Sequence, residues 1–140
     1  MTYTSIGAPD TAAKIGPDGK ATYIDVRTVA EFAAGRPKGR AINVPIEFTH
    51  PTTKEIHANT AFELVMQHTL DPATPLIVGA DDGPRAAQAA EALAVAGFTD
   101  IAVLADGLPG WQTAGLPVTK DNRDGVSYVS LLTPARRAKK

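Results

Sequence analysis

One hundred and forty residues make one ordinary domain, and 44% hydrophobic with 21% charged residues is the composition of a globular chain rather than a disordered or fibrous one. Fourteen Lys+Arg against fifteen Asp+Glu leave a net charge of -1, which offers nucleic-acid phosphates no clustered basic face. The complete absence of cysteine excludes disulfides, thiolate metal sites and a cysteine nucleophile.

In chain order, residues 3–6 read as a short first strand, and the nearly continuous apolar run at 22–26 as a second. Thr28 and Glu31 have the spacing of a capping box and open a helix over 29–34 that Gly35 stops. Residues 41–44 form a weaker strand. The long connection at 45–56, with Phe48, is expected as a partner surface. Asn59 or Thr60 caps a helix over 59–68, with Phe62, Val65 and Met66 at helical spacing. A strand at 76–78 precedes the strongest helix, 84–96, with Pro84 in its first turn, seven alanines, and Gly97 at its end. A strand at 101–104 and a short helix at 109–114 follow, with Trp111 expected to plug the core.

Residues 1–120 are thus expected as the domain and 121–140 as a partly ordered extension. Within that extension residues 126–132 have strand character, suited to pairing with a sheet edge or with a second copy in a homodimer. Its basic end, Arg136-Arg137-Ala138-Lys139-Lys140, is expected as a solvated tail. The N-terminus lacks the basic start and apolar run of a secretory leader, and no apolar run approaches the roughly 18 residues of a membrane helix. The expectation is a cytoplasmic domain without membrane contact.

Alternating strands and helices, with strands apolar on both faces, predict an α/β fold: a mainly parallel sheet of about five strands with helices on both faces. Such sheets bind ligands beyond the carboxyl ends of their strands. The most suggestive exit is from 76–78 into Gly79, Ala80, Asp81, Asp82, Gly83, Pro84 and Arg85 and straight into the alanine-rich helix. Converging loop amides and a helix N-terminus make that geometry a potential anion cradle.

Asp25-Val26-Arg27 with Glu31-Phe32, then Gly35 to Gly39 and Ala41-Ile42-Asn43-Val44-Pro45, resembles the first signature of rhodanese-like domains. Gly83-Pro84-Arg85, Ala96-Gly97-Phe98, Val103 to Gly107, Trp111 and Gly115-Leu116-Pro117 resemble the second half, so the likeness covers about residues 3 to 118. The resemblance implies a five-stranded sheet and a sulfurtransferase mechanism: a cysteine opening a C-x-x-x-x-R loop takes sulfur from a donor such as thiosulfate, stands as a persulfide, and passes the sulfur to an acceptor. Aligned on Arg85, the loop here is Ala80-Asp81-Asp82-Gly83-Pro84-Arg85. Spacing survives and the nucleophile does not.

Two further departures concern the anion. Asp81 and Asp82 put like charges beside it, each costing on the order of 3 to 4 kcal/mol before screening at about 4 to 6 Å and an effective dielectric of about 20. Pro84 removes one amide. The expected function is therefore a catalytically inactive rhodanese-like domain that binds a partner protein or a small ligand at residues 80–85. One alternative is a thiosulfate-type sulfurtransferase seen as a Cys-to-Ala form. Another is carboxylate- or metal-dependent chemistry at Asp81 and Asp82, with Asp106 as a further candidate ligand, although adjacent aspartates after a strand are more often solvated turn formers. Asp25, Arg27 and Glu31 are expected as an ion-pair cluster holding the strand–helix turn, and Arg85 to pair with an Asp of the loop. His50, His57 and His68 show no metal-ligand spacing. Neither cofactor nor metal is expected.

Overall fold

The computed structural model describes residues 3–81 and 83–139. Its elements run β1 (Thr4–Ile6), α1 (Ala8–Ile15), β2 (Thr22–Asp25), α2 (Val29–Ala34), β3 (Arg36–Pro37), β4 (Ala41–Asn43), β5 (Glu47–Thr49), β6 (Ile56–Ala58), α3 (Phe62–Thr69), β7 (Leu76–Gly79), α4 (Gly83–Val95), β8 (Ile101–Leu104), α5 (Gly107–Thr113), β9 (Val118–Thr119) and α6 (Tyr128–Lys139). Five strands form a wholly parallel sheet in the order β1-β8-β7-β2-β4.

The strands carry apolar residues at both parities because both faces are covered. Ile24, Leu76, Val78, Ile101 and Val103 pack into one core with α3, α4 and α6. Their neighbours Tyr23, Ile77 and Leu104 pack into a second core with Ile15 of α1 and with Leu108 and Trp111 of α5. Small side chains let α4 lie close to the sheet, burying Ala86, Ala89, Ala90 and Leu93 at helical spacing. Trp111 is fully buried, and its indole nitrogen donates to the Pro117 carbonyl at 2.8 Å. No described helix is long and apolar enough to cross a membrane.

Several elements depart from the sequence expectations. Helix α1 was not anticipated, although Pro9 and Asp10 in its first turn and Lys14 in its last suit a helix. The 45–56 connection folds into an antiparallel hairpin that continues to Ala58, in which β5 and β6 pair Phe48 with His57. Helix α3 starts at Phe62, yet the Asn59 side chain accepts from the Ala61 amide at 3.0 Å and shapes its lead-in turn.

The strand expected at 126–132 is instead the start of α6. Tyr128, Leu131 and Ala135 are its buried residues, with Leu132 packed beside them. Their spacing is three, four and seven, the repeat of a helix stripe, and it prevails over the strand preference of Val126, Tyr128 and Val129. Arg136 and Arg137 are exposed on the last turns of this helix.

Candidate functional site

From β2 the chain crosses to β4 on one side of the sheet, and from β7 to β8 on the other. The carboxyl ends of the adjacent strands β2 and β7 therefore flank the topological switch point, where open parallel sheets form their ligand crevice. Asp25 ends β2 directly opposite Gly79, which ends β7, and the Val26 amide donates to the Gly79 carbonyl at 3.1 Å.

Asp25 and Arg27 form a buried, two-pronged ion pair. The guanidinium Nε lies 2.9 Å from Oδ1 and Nη2 lies 2.7 Å from Oδ2, while Nη2 also donates to the Gly35 carbonyl at 2.7 Å. Asn43 completes the turn by donating to the carbonyls of Asp25 and Arg27 at 3.0 and 3.1 Å. Burial pushes the Asp25 carboxyl above its ordinary range despite the opposing bonds from Arg27.

Beneath this turn the Tyr23 ring reaches along the sheet to Gly79. A Cβ at position 79 would fall 1.7 Å from the Tyr23 hydroxyl, so only glycine fits there. That hydroxyl is buried without a hydrogen-bond partner, and burial raises its pKa well above the ordinary value.

Ala80 is buried at the base of the loop, and its carbonyl accepts from the Leu108 amide at 3.0 Å. Gly107, at φ 60°, is needed for this approach, because a Cβ there would sit 2.4 Å from the Ala80 oxygen. Asp81 is 43% exposed and holds its Oδ1 3.6 Å from Arg27 Nη1. Desolvation, with smaller contributions from neighbouring Glu31, outweighs Arg27 and raises the Asp81 pKa. Asp82 lies outside the described residues. Gly83 and Pro84 are exposed at the start of α4.

Arg85 grips Glu31, Nη1 to Oε1 at 2.8 Å and Nη2 to Oε2 at 3.1 Å. Glu31 has a second duty. Its carboxylate accepts from the Thr28 amide at 3.0 Å while its own amide donates to the Thr28 hydroxyl at 3.3 Å, completing the capping box of α2. The bonds from Arg85 first, and those from Thr28, hold the Glu31 carboxyl down at about 2 against a desolvation that would raise it. The expected cluster is thus divided: Asp25 pairs with Arg27, whereas Glu31 reaches the loop through Arg85.

A groove of about 460 Å³ opens between this network and the β5–β6 hairpin, lined by Thr28, Glu31, Glu47, Thr49, Ile56 and Arg85. Asp106, which precedes Gly107, is not among the residues lining this groove and lines a second depression with Gly7 and Pro9. His50 serves its own turn, its Nδ1 accepting from the Thr52 and Thr53 amides at 3.1 Å, and His57 stands 3.4 Å from Glu55. Among the described residues no three His, Cys, Asp or Glu side chains converge on a metal position. Asn43 and Gly107 fall within the stretches that resemble the family signature, but the part that they and Tyr23 play in shaping the site did not stand out in the sequence.

The family model of the rhodanese-like domain matches residues 8–114. The chain belongs to this family. Similar proteins include a "Rhodanese-like domain-containing protein 15, chloroplastic" of Arabidopsis thaliana, 34% identical over 96 residues that make up 69% of this chain and 51% of the relative. A "Thiosulfate sulfurtransferase 18" of the same organism is 26% identical over 103 residues, 73% of this chain and 74% of the relative. This rhodanese-like chain therefore spans about half the length of the first and about three quarters of the second. Among solved structures, the Alr3790 protein from Anabaena sp. superposes with a TM-score of 0.69 at 20% identity, over 96% of this chain and 94% of that one, a likeness of fold. The rhodanese-like domain described here has Ala80 at the head of its loop and no cysteine anywhere.

Proposed function

We propose that this rhodanese-like domain is a pseudoenzyme: it carries no sulfur and works as a binding or regulatory module through the groove beside residues 80–85. The observation that carries the reading is the buried methyl group of Ala80 at the head of the loop, in a chain without a single thiol. A persulfide needs a thiolate to form. One relative is named as a thiosulfate sulfurtransferase, and it is this chemistry that the proposal denies to the present chain.

The charges around the loop support the same reading. Arg27 and Arg85, the cations nearest the loop, are already engaged by Asp25, Asp81 and Glu31. Pro84 withdraws one amide from the helix N-terminus. Glu47 adds a further carboxylate to the groove wall. An anion such as thiosulfate gains little there, and a partner that presents a neutral or basic group is favoured.

Cyanide-dependent thiosulfate cleavage by the protein and by its Ala80→Cys variant tests the proposal. The expected result is no turnover above the uncatalysed rate for the first and little for the second. Vigorous activity of the variant would instead identify a sulfurtransferase lacking one atom.

A further inference from the structure

A larger cavity, about 630 Å³, lies at the other end of the sheet. It sits against the segments that lead into the amino ends of β2 and β4, whereas residues 80–85 leave the carboxyl end of β7. Its volume falls within the range of small-molecule sites, about 300 to 1,000 Å³. Ala12, Pro17 and Pro117 supply apolar wall.

The charge of the wall is one-sided. Arg36, Lys38, Arg40 and Arg123 line the cavity, and Asp121 is the one carboxylate among the lining residues. Asp121 is bonded by the Arg123 guanidinium and, with Asp25, acts on Arg36 only at longer range, so cations outnumber carboxylates in the wall by three. Arg36 is only 3% exposed, and all its described hydrogen-bond partners are carbonyls: Pro37 and Gly39 at 3.0 Å and Asp121 at 3.3 Å. Its face lies over the Phe32 ring, 5.5 Å from the centroid. Arg40 likewise bonds carbonyls, Ala21 at 2.7 Å and Gly19 at 3.1 Å, with N–H groups to spare. The Lys38 side chain is exposed at the rim.

Carbonyl dipoles satisfy the hydrogen-bonding geometry of a guanidinium but leave its net charge in place. A buried cation is ordinarily matched by an anion. Here no carboxylate of the described residues lies within 4.0 Å of Arg36. We infer that this cavity binds a small organic anion, its apolar body against Ala12, Pro17 and Pro117 and its carboxylate or phosphate between Lys38 and Arg40, in the field of Arg36.

Titration of the whole protein with phenyl phosphate, followed by amide and indole NMR shifts, tests this. Trp111 is the chain's single tryptophan, and its indole N–H is bonded to the cavity-wall carbonyl of Pro117, so it reports locally. Saturable shifts are expected at Gly16, Gly39 and the Trp111 indole, with those at Gly79 and Arg85 small. Benzyl alcohol, which has the ring without the charge, is expected to leave them in place. Affinity should fall several-fold between about 50 and about 500 mM salt, as screening requires. It should fall about tenfold in the Lys38→Gln/Arg40→Gln double variant, and about threefold in the surface variant Lys38→Gln alone, which keeps the Arg40 bonds. Absence of saturation, equal shifts with benzyl alcohol, or unchanged affinity in folded Lys38→Gln would each overturn the inference.

Discussion

Arg85 holds Glu31 across 54 residues of sequence, and the same carboxylate caps α2. The pair therefore ties the candidate loop to the helix that follows β2, so that the orientation of α2 and the position of the loop cannot change independently.

This coupling has a pH signature. Glu31 titrates at about 2 in the folded chain, below the ordinary glutamate value, so its stabilisation is present above the unfolded pKa and is lost as pH falls towards about 2. Glu31→Gln is expected to lower stability by about 1 kcal/mol at neutral pH, a figure discounted because the side chain is 32% exposed. The gap from the parent should narrow in urea unfolding between about pH 4.5 and the folded pKa of about 2. A gap that stays constant with pH would mean that the carboxylate charge is not what stabilises.

The Asp25–Arg27 pair is buried on both sides, with side chains 0% and 4% exposed. Asp25→Ala leaves the buried Arg27 guanidinium with only the more distant Asp81 carboxylate and is expected to cost about 3 kcal/mol. The Asp25→Ala/Arg27→Met double variant should recover part of that loss, since an apolar pair carries no desolvated charge. Chemical denaturation of both variants measures it, and a double variant less stable than Asp25→Ala alone would contradict the assignment.

Tyr23 and Gly79 give a steric test. The unpartnered Tyr23 hydroxyl contributes no bond, so Tyr23→Phe is expected to be neutral or to stabilise by up to about 1 kcal/mol. Gly79→Ala should destabilise by about 1 to 3 kcal/mol through overpacking. Tyr23→Phe should not rescue it, because the ring carbon Cζ would still lie only 2.3 Å from the added methyl. Thermal unfolding distinguishes these outcomes, and full rescue by phenylalanine would show that the ring is not where it is described.

Helix α6 is packed into the same core as α3 and α4, and Tyr128 and Asn59 are joined at 3.0 Å. Leu131→Ala is therefore expected to cost about 2 to 4 kcal/mol in the unfolding of the whole domain. An effect confined to fraying of residues 121–139, with the rest unchanged, would mean that this segment folds separately.

The sheet was largely legible because strands buried on both faces must be apolar at every position, as Leu76, Ile77 and Val78 are. The capping box at Thr28 and the alanine face of α4 were legible because they depend on residues three or four apart. Helix α6 was misread because tyrosine and valines favour strands locally, and its helical stripe is satisfied by a core that includes α3, far off in sequence. The loop's spacing was readable from Arg85, and the bond from Arg85 to Glu31 was not. The described bonds of Arg85 run to Glu31, a residue whose spacing suggested a cap and a cluster with Asp25 and Arg27 but not a contact 54 residues away. Nor does any sequence pattern announce that Gly107 comes to lie against the Ala80 carbonyl.

The central claim is that sulfur has no resting place on this chain, and intact-mass spectrometry after incubation with thiosulfate tests it most directly. The account predicts an unchanged mass. A stable gain of about 32 Da, one sulfur atom, would contradict it, since covalent capture requires a nucleophile of the kind Ala80 does not provide.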